Sequence, residues 1–189
     1  MRFFILLLSL LFSLSSYANW HLDNKQSRLS FISIKKTDVA EVHHFTQLSG
    51  ALDHDAKVSL VVDLTSVDTN VKQRDQRMQK FLFETNLFPQ ARFDANINSK
   101  SLQNIALGES QIMKIKGEIN LHGVKQTVTT DVLIARINEQ KFIVSSMQPI
   151  IIQAVNFKLS AGIEKLQELA HLPSISKAVP LSFVLTFIK

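Results

Sequence analysis

Cysteine is absent from all 189 residues. Its absence excludes disulfides, thiol catalysis and Cys-ligated metals together. Glycine and proline are scarce, at 5 and 4 residues, so no Gly- or Pro-rich linker divides the chain. Charge of one sign does not dominate either: 21 Lys plus Arg stand against 16 Asp plus Glu, a net +5. The basic residues are scattered, which argues against nucleic-acid binding and is compatible with a weak preference for anionic ligands or lipid headgroups. Beyond residue 14 no apolar run approaches the length of a membrane span.

The one long apolar run stands at the start. Arg2 supplies a short positive region, Phe3 to Leu14 is interrupted only by Ser9 and Ser13, and Ser16-Tyr17-Ala18 places small residues where a signal peptidase reads. Residues 1–18 read as a secretory signal peptide cleaved before Asn19. A retained anchor would need roughly 20 apolar residues, more than this run offers. No Cys follows, so a lipoprotein anchor is excluded. Residues 19–189 are expected outside the cytoplasm as one domain, long enough to bury a core without covalent staples.

That mature chain reads as strands, because apolar residues recur at every second position. Val58, Leu60, Val62 and Leu64 share a face, as do Phe93, Ala95 and Ile97. The same holds for Met113, Ile115, Gly117, Ile119 and Leu121, and for Val128, Thr130, Val132 and Ile134. Near the end Val179, Leu181, Phe183, Leu185 and Phe187 alternate likewise. Weaker strand candidates are Leu29 to Ile34, Phe45 to Leu52, Lys141 to Met147 and Ile150 to Phe157. Two stretches read as helical: Asn70 to Phe83, and Ala161 to Leu169 with Ile163, Leu166 and Leu169 three apart. Pro173 closes the second, which is placed to cap one end of a barrel. His122-Gly123 separates two alternating runs and marks a tight antiparallel turn. Many short strands with few helices fit a sandwich or a closed barrel. One apolar face per strand favours a single sheet curled around an interior.

Catalytic signatures are lacking. The chain has no Gly-x-Ser-x-Gly elbow, no phosphate-binding loop and no dinucleotide fingerprint. The six His residues are His21, His43, His44, His54, His122 and His171, and none forms a helical pair with an acidic partner as a zinc hydrolase would. No cofactor and no metal are expected. His122 is expected to hold its hairpin through its ring nitrogens.

Several segments together resemble the YceI-like family of periplasmic, lipid- or polyisoprenoid-binding proteins. They are Trp20-His21-Leu22-Asp23 with Ser27 and Ser30-Phe31; Asp63-Leu64-Thr65-Ser66-Val67-Asp68-Thr69 running to Arg74-Asp75, Met78, Phe81 and Phe83; Phe88-Pro89 and Phe93; Gly117 to Lys125; and Val179-Pro180-Leu181-Ser182-Phe183. The resemblance spans Trp20 to Phe187. It implies an all-β, antiparallel, lipocalin-like β-barrel with one or two short helices and an elongated apolar cavity. It also implies a periplasmic carrier or sequestering protein, not an enzyme. The ligand would be a polyisoprenoid, an isoprenoid quinone or a fatty-acid-like lipid, with transient contact to a membrane surface. One departure is Gln153-Ala154-Val155-Asn156-Phe157-Lys158, where many members have an Arg, an acidic residue and Phe-Gly. The helical stretch after it is placed to reshape a cavity mouth.

On this reading Phe31, Phe45, Leu60, Val62, Phe93, Met113, Ile115, Ile119, Val132, Phe142, Phe183 and Leu185 line the cavity, and Gly117 thins one strand to leave room. Arg74 is the first choice for a headgroup contact. The structural alternative has Arg74 and Asp75 pairing with neighbours to lock the strand-to-helix excursion, with Asp68 or Thr69 capping the helix. Two other functions compete: a filled barrel that acts through its outer faces, and a lipid-modifying enzyme, which would need a convergent polar cluster inside.

Overall fold

Apolar side chains at every second position give a strand one face to bury, and a sheet with one apolar face hides it by curling shut. The computed structural model describes residues 20–53 and 55–189. The signal peptide expected over residues 1–18, Asn19 and His54 lie outside the described residues. Within them, one continuous antiparallel sheet contains twelve strand segments. These are β1 (Trp20–Leu22), β2 (Arg28–Lys35), β3 (Val39–Phe45), β4 (Leu48–Leu52), β5 (Lys57–Asp63), β6 (Val67–Asp68), β7 (Gln90–Asn96), β8 (Ser110–Leu121), β9 (Val124–Asn138), β10 (Lys141–Ser146), β11 (Ile150–Gln153) and β12 (Ala178–Ile188).

Four pairs of consecutive segments are single walls with a break in them. β2 and β1 lie in succession along one edge of β12, and β11 and β10 along the other. β3 and β4 follow β2 and β1, and β6 and β5 follow in turn. The result is a closed eight-stranded up-and-down barrel, each wall beside its chain neighbour and the last beside the first. Side chains mend the breaks. Asn24 donates to the Thr46 carbonyl (2.9 Å) and accepts from the Leu48 amide (2.7 Å), while the Ser66 hydroxyl accepts from the Gln47 amide at 3.0 Å.

Helices close both ends. α1 (Lys72–Arg77) runs into a π turn at Met78–Leu82, between β6 and β7. α3 (Ser160–Leu169) joins β11 to β12 at that same end. The two meet at Gly162, where a Cβ would fall 2.5 Å from the Phe81 carbonyl oxygen. The chain leaves α3 by a left-handed residue, His171 (φ 51), with Leu172 donating back to the Gln167 carbonyl, two residues before Pro173. α2 (Ser99–Gln103) covers the opposite end between β7 and β8.

The strongly alternating runs all became strands with the expected face inward. The helical stretches also formed, the first with a π turn that spacing does not reveal. The weak candidates fared differently. Phe45 to Leu52 is interrupted at Thr46 and Gln47, and the Ile150 strand ends at Gln153 in a short 3-10 turn. β3 carried no apolar alternation because its inward positions hold Glu41 and His43, while Val42 faces solvent at 62 % exposure. At the β8–β9 hairpin both His122 (φ 53) and Gly123 (φ 72) take the left-handed conformation, the signature of a two-residue type I′ turn closed by Leu121 and Val124.

Candidate ligand cavity

The inward faces do not fill the barrel. They enclose a cavity of about 250 Å³. Its wall reaches from Ile97 and Leu102 at the α2 end to Leu82, Phe83, Leu159 and Ile163 at the α1–α3 end. The wall is apolar except at Thr130 and Arg92. Arg92 turns its guanidinium to half-exposed Asp94, with bonds of 2.9 and 2.7 Å. Thr130, buried in β9, makes a long 3.4 Å bond to the Asp131 carbonyl. A wall of this kind offers an occupant removal from water and almost no directional bonding.

The α2 end is packed with aromatic and aliphatic side chains. Trp20 meets Phe142 edge-on at 4.6 Å between ring centres, and Ile105 beneath α2 is 3 % exposed. At the other end the buried Ile163 and Leu159 of the α3 segment pack with Leu82.

Eleven of the thirteen residues expected at the site stand in this wall: Phe31, Phe45, Leu60, Val62, Phe93, Ile115, Ile119, Val132, Phe142, Phe183 and Leu185. Met113 does not; it packs on the Ile105–Val132–Ile134–Phe142 cluster near the α2 end. Gly117 leaves no room for a ligand, because the Phe93 ring lies in the space a side chain would take. The wall also includes Leu82, Phe83, Leu159 and Ile163, which the strand periodicity did not supply. Leu159 and Ile163 are four residues apart, the spacing that puts two side chains on one helix face.

Arg74 stands outside the wall. Its guanidinium pairs with Glu41 at 2.7 Å and donates to the Thr69 carbonyl at 2.7 Å. Asp75 accepts from the Thr69 amide at 2.9 Å and from its hydroxyl. These bonds lock the passage from β6 into α1, the structural alternative for the pair. Asp68 caps no helix; it accepts from the Asn70 amide at 2.8 Å in a local turn. Glu41 also receives Lys35 at 2.8 Å. The hydrogen bond from Lys35, opposed by partial burial and aided by Arg74, holds the Glu41 carboxyl below its usual range. His122 does not brace its own hairpin. Its Nε2 meets Glu84 at 2.8 Å and its ring lies tilted against Phe88, 4.4 Å between ring centres, so it ties the hairpin to the segment after the π turn.

Comparison with known proteins places this architecture. The family model of the YceI-like domain matches residues 20–187. A polyisoprenoid binding domain from Saccharophagus degradans implicated in plant cell wall breakdown is 36% identical, with a TM-score of 0.88 over 89% of this chain and 97% of that one. BcnA of Burkholderia cenocepacia shares the fold at 21% identity and a TM-score of 0.67, over 87% of this chain and 98% of its own. The Campylobacter jejuni YceI protein does so at 17% identity and 0.57, over 78% and 84%. No curated protein matches the sequence. With a family match over residues 20–187 and a similar domain at 36% identity, this chain belongs to the YceI-like family.

Proposed function

We propose that the protein is an exported, non-catalytic carrier or sequestering protein that holds a long apolar lipid inside its barrel. The candidates are a polyisoprenoid, an isoprenoid quinone or a fatty-acid-like chain. The observation that carries this reading is the continuous apolar wall between the two helix-covered ends. Each methylene taken from water into such a wall contributes about 0.8 kcal/mol. Many such carbons in contact with Phe, Leu, Ile and Val therefore give useful affinity without a single strong bond. The similar Saccharophagus domain, described as polyisoprenoid binding, supports the same ligand kind. The periplasm is the proposed compartment, on the strength of the Arg2 to Ala18 pattern. Contact with a membrane surface is transient, during loading and release.

The test is native mass spectrometry of the mature protein purified gently from an envelope fraction, followed by denaturing extraction. A co-purifying quinone, isoprenoid or fatty acid is expected. A clean mass that stays unchanged after incubation with such lipids would sink the carrier reading and favour a protein acting through its outer faces.

A further inference from the structure

The barrel wall is laddered unevenly around β9. From Asn138 to Val132, β9 pairs with β10 on the side away from β8. Met147 still donates to the Asp131 carbonyl at 3.1 Å, and then the chain bends through Gln148 and Pro149. Beyond the bend β11 pairs with β12 alone, so Val124 to Thr130 of β9 has no strand paired to its second edge. Main-chain groups alternate between the two edges of an antiparallel strand. Asp131 serves the second edge, so Lys125, Thr127 and Thr129 also turn their N–H and C=O groups that way, toward β11. At the far end of this stretch Gln126 Nε2 donates to the Asn156 carbonyl at 3.5 Å. From Asp131 to Gln126 the unladdered seam runs roughly 17 Å at a strand's rise per residue.

Elsewhere a strand that outruns its neighbour is covered. Arg74 and Thr69 tie α1 to the end of β6, and Leu102 and Ile105 of the α2 segment pack in one cluster with Met113 and Ile115 of β8. At the seam only the 3-10 turn Ala154–Phe157 intrudes, at the end where it leads into α3, with Ala154 and Phe157 buried beside Val124 and Ile152. Both margins belong to the cavity: Val128 and Thr130 on one side and Ile150 and Ile152 on the other stand in its wall. Parting them breaks no ladder hydrogen bond, whereas opening either helix-covered end unpacks buried side chains, so the seam is the wall's least costly place to open. Outside, Met147, Ile151 and Val155 follow one another four residues apart along the β11 margin, each at least half exposed. Lys125 flanks the other margin, and Lys158, beside the turn, has no carboxylate partner among the described residues. Exposed apolar side chains edged by lysine suit the interface of a bilayer with anionic headgroups. We infer that the seam between β9 and β11 is a lateral portal: the barrel lies against a lipid bilayer with Met147, Ile151 and Val155 in the interface, and the apolar chain passes sideways between the two strands without crossing open water. The inference rests on the carrier reading and deepens it.

The test exploits the absence of cysteine. Thr127→Cys with Gln153→Cys puts one thiol on each side of the seam, and a bismaleimide joins them. Ser49→Cys with Val61→Cys, cross-strand partners in the laddered β4–β5 wall, is joined as the control. Delipidated mature protein is loaded with a fluorescent fatty acid, and its transfer is followed to vesicles of phosphatidylethanolamine and phosphatidylglycerol. The seam cross-link is expected to slow loading and transfer together by about tenfold or more, leaving Kd, their ratio, unchanged and so showing that the barrel is intact. The control cross-link is expected to change neither rate. Wild-type transfer is expected to quicken with vesicle concentration, and the triple variant Met147→Ser, Ile151→Ser, Val155→Ser to lose that dependence while its Kd holds. Rates equal to the control after seam cross-linking would overturn the portal and leave the carrier standing. Wild-type transfer indifferent to vesicle concentration would overturn the bilayer contact. A fatty acid that does not bind the wild type at all would overturn the carrier reading as well.

Discussion

Burial governs the chemistry of His43. Loss of solvent disfavours the imidazolium, the Arg74 charge disfavours it further, and the ring's pKa drops below its ordinary 6.5; Glu41 and Asp75 oppose this and Lys35 adds to it. In the unfolded chain the ring titrates near the ordinary value. Below that pH the unfolded state therefore binds a proton that the folded state refuses, and stability falls as pH falls. Glu41, held low chiefly by Lys35, loses its stabilising partnership only further into acid, below its ordinary 4.5. The expected result is a lower urea midpoint at pH 5.5 than at pH 7.5, with the difference reduced in His43→Gln. An unchanged pH slope in that variant would assign the effect elsewhere. Residues like this one explain what a sequence hides. His43 and Glu41 point inward, where periodicity expects apolar side chains, so the β3 strand was invisible to pattern reading. Arg74 was legible as a motif residue, but its partner Glu41 is 33 positions away.

At the level of elements, the contact between α3 and the π turn is the most constrained. The Cβ of any other residue at 162 would press on the Phe81 carbonyl and the Leu82 Cα, and backbone cannot rotate aside as a side chain can. Gly162→Ala is expected to force the two segments apart and to destabilise by about 1–3 kcal/mol, the usual scale for overpacking. The measurement is the urea midpoint together with the release rate of a bound apolar reporter, which should rise because Ile163 and Leu82 belong to the cavity wall. Release that stays at the wild-type rate while stability falls would show that ligand passes at another point of the barrel. The existence of both helices was readable from their spacing and from Pro173. The π turn was not, since one extra residue per turn leaves the side-chain pattern almost unaltered over so short a stretch.

For the whole molecule, closure joins the first segment to the last, His21 beside Ile188 and Leu22 beside Phe187. That pairing is maximally distant in sequence, and no local pattern announces it. The alternating faces made a curled sheet legible, yet alternation counts faces and not volume, so whether the barrel is filled or hollow was outside its reach. The resemblance carried by the Asp63 to Phe93 and Gly117 to Lys125 segments supplied the hollow form. A hollow barrel is stabilised by what it holds. Mature protein with a C15 chain at 100 times its Kd is expected to gain about 2.7 kcal/mol by mass action, seen as a rise in Tm that grows with ligand concentration. A Tm that does not move under saturating ligand would contradict an accessible interior.

The bareness of the cavity wall turns chain length into time. A ligand bound through few directional bonds escapes by returning its carbons to water, and differences among related complexes reside mostly in the off-rate. At about 0.8 kcal/mol per carbon, each one lengthens the dwell roughly fourfold, and each five-carbon unit by up to about a thousandfold. Short chains would leak within one cellular errand, whereas long ones would stay until another apolar surface touched the barrel and took them. Such a protein measures its cargo by how long it cannot let go.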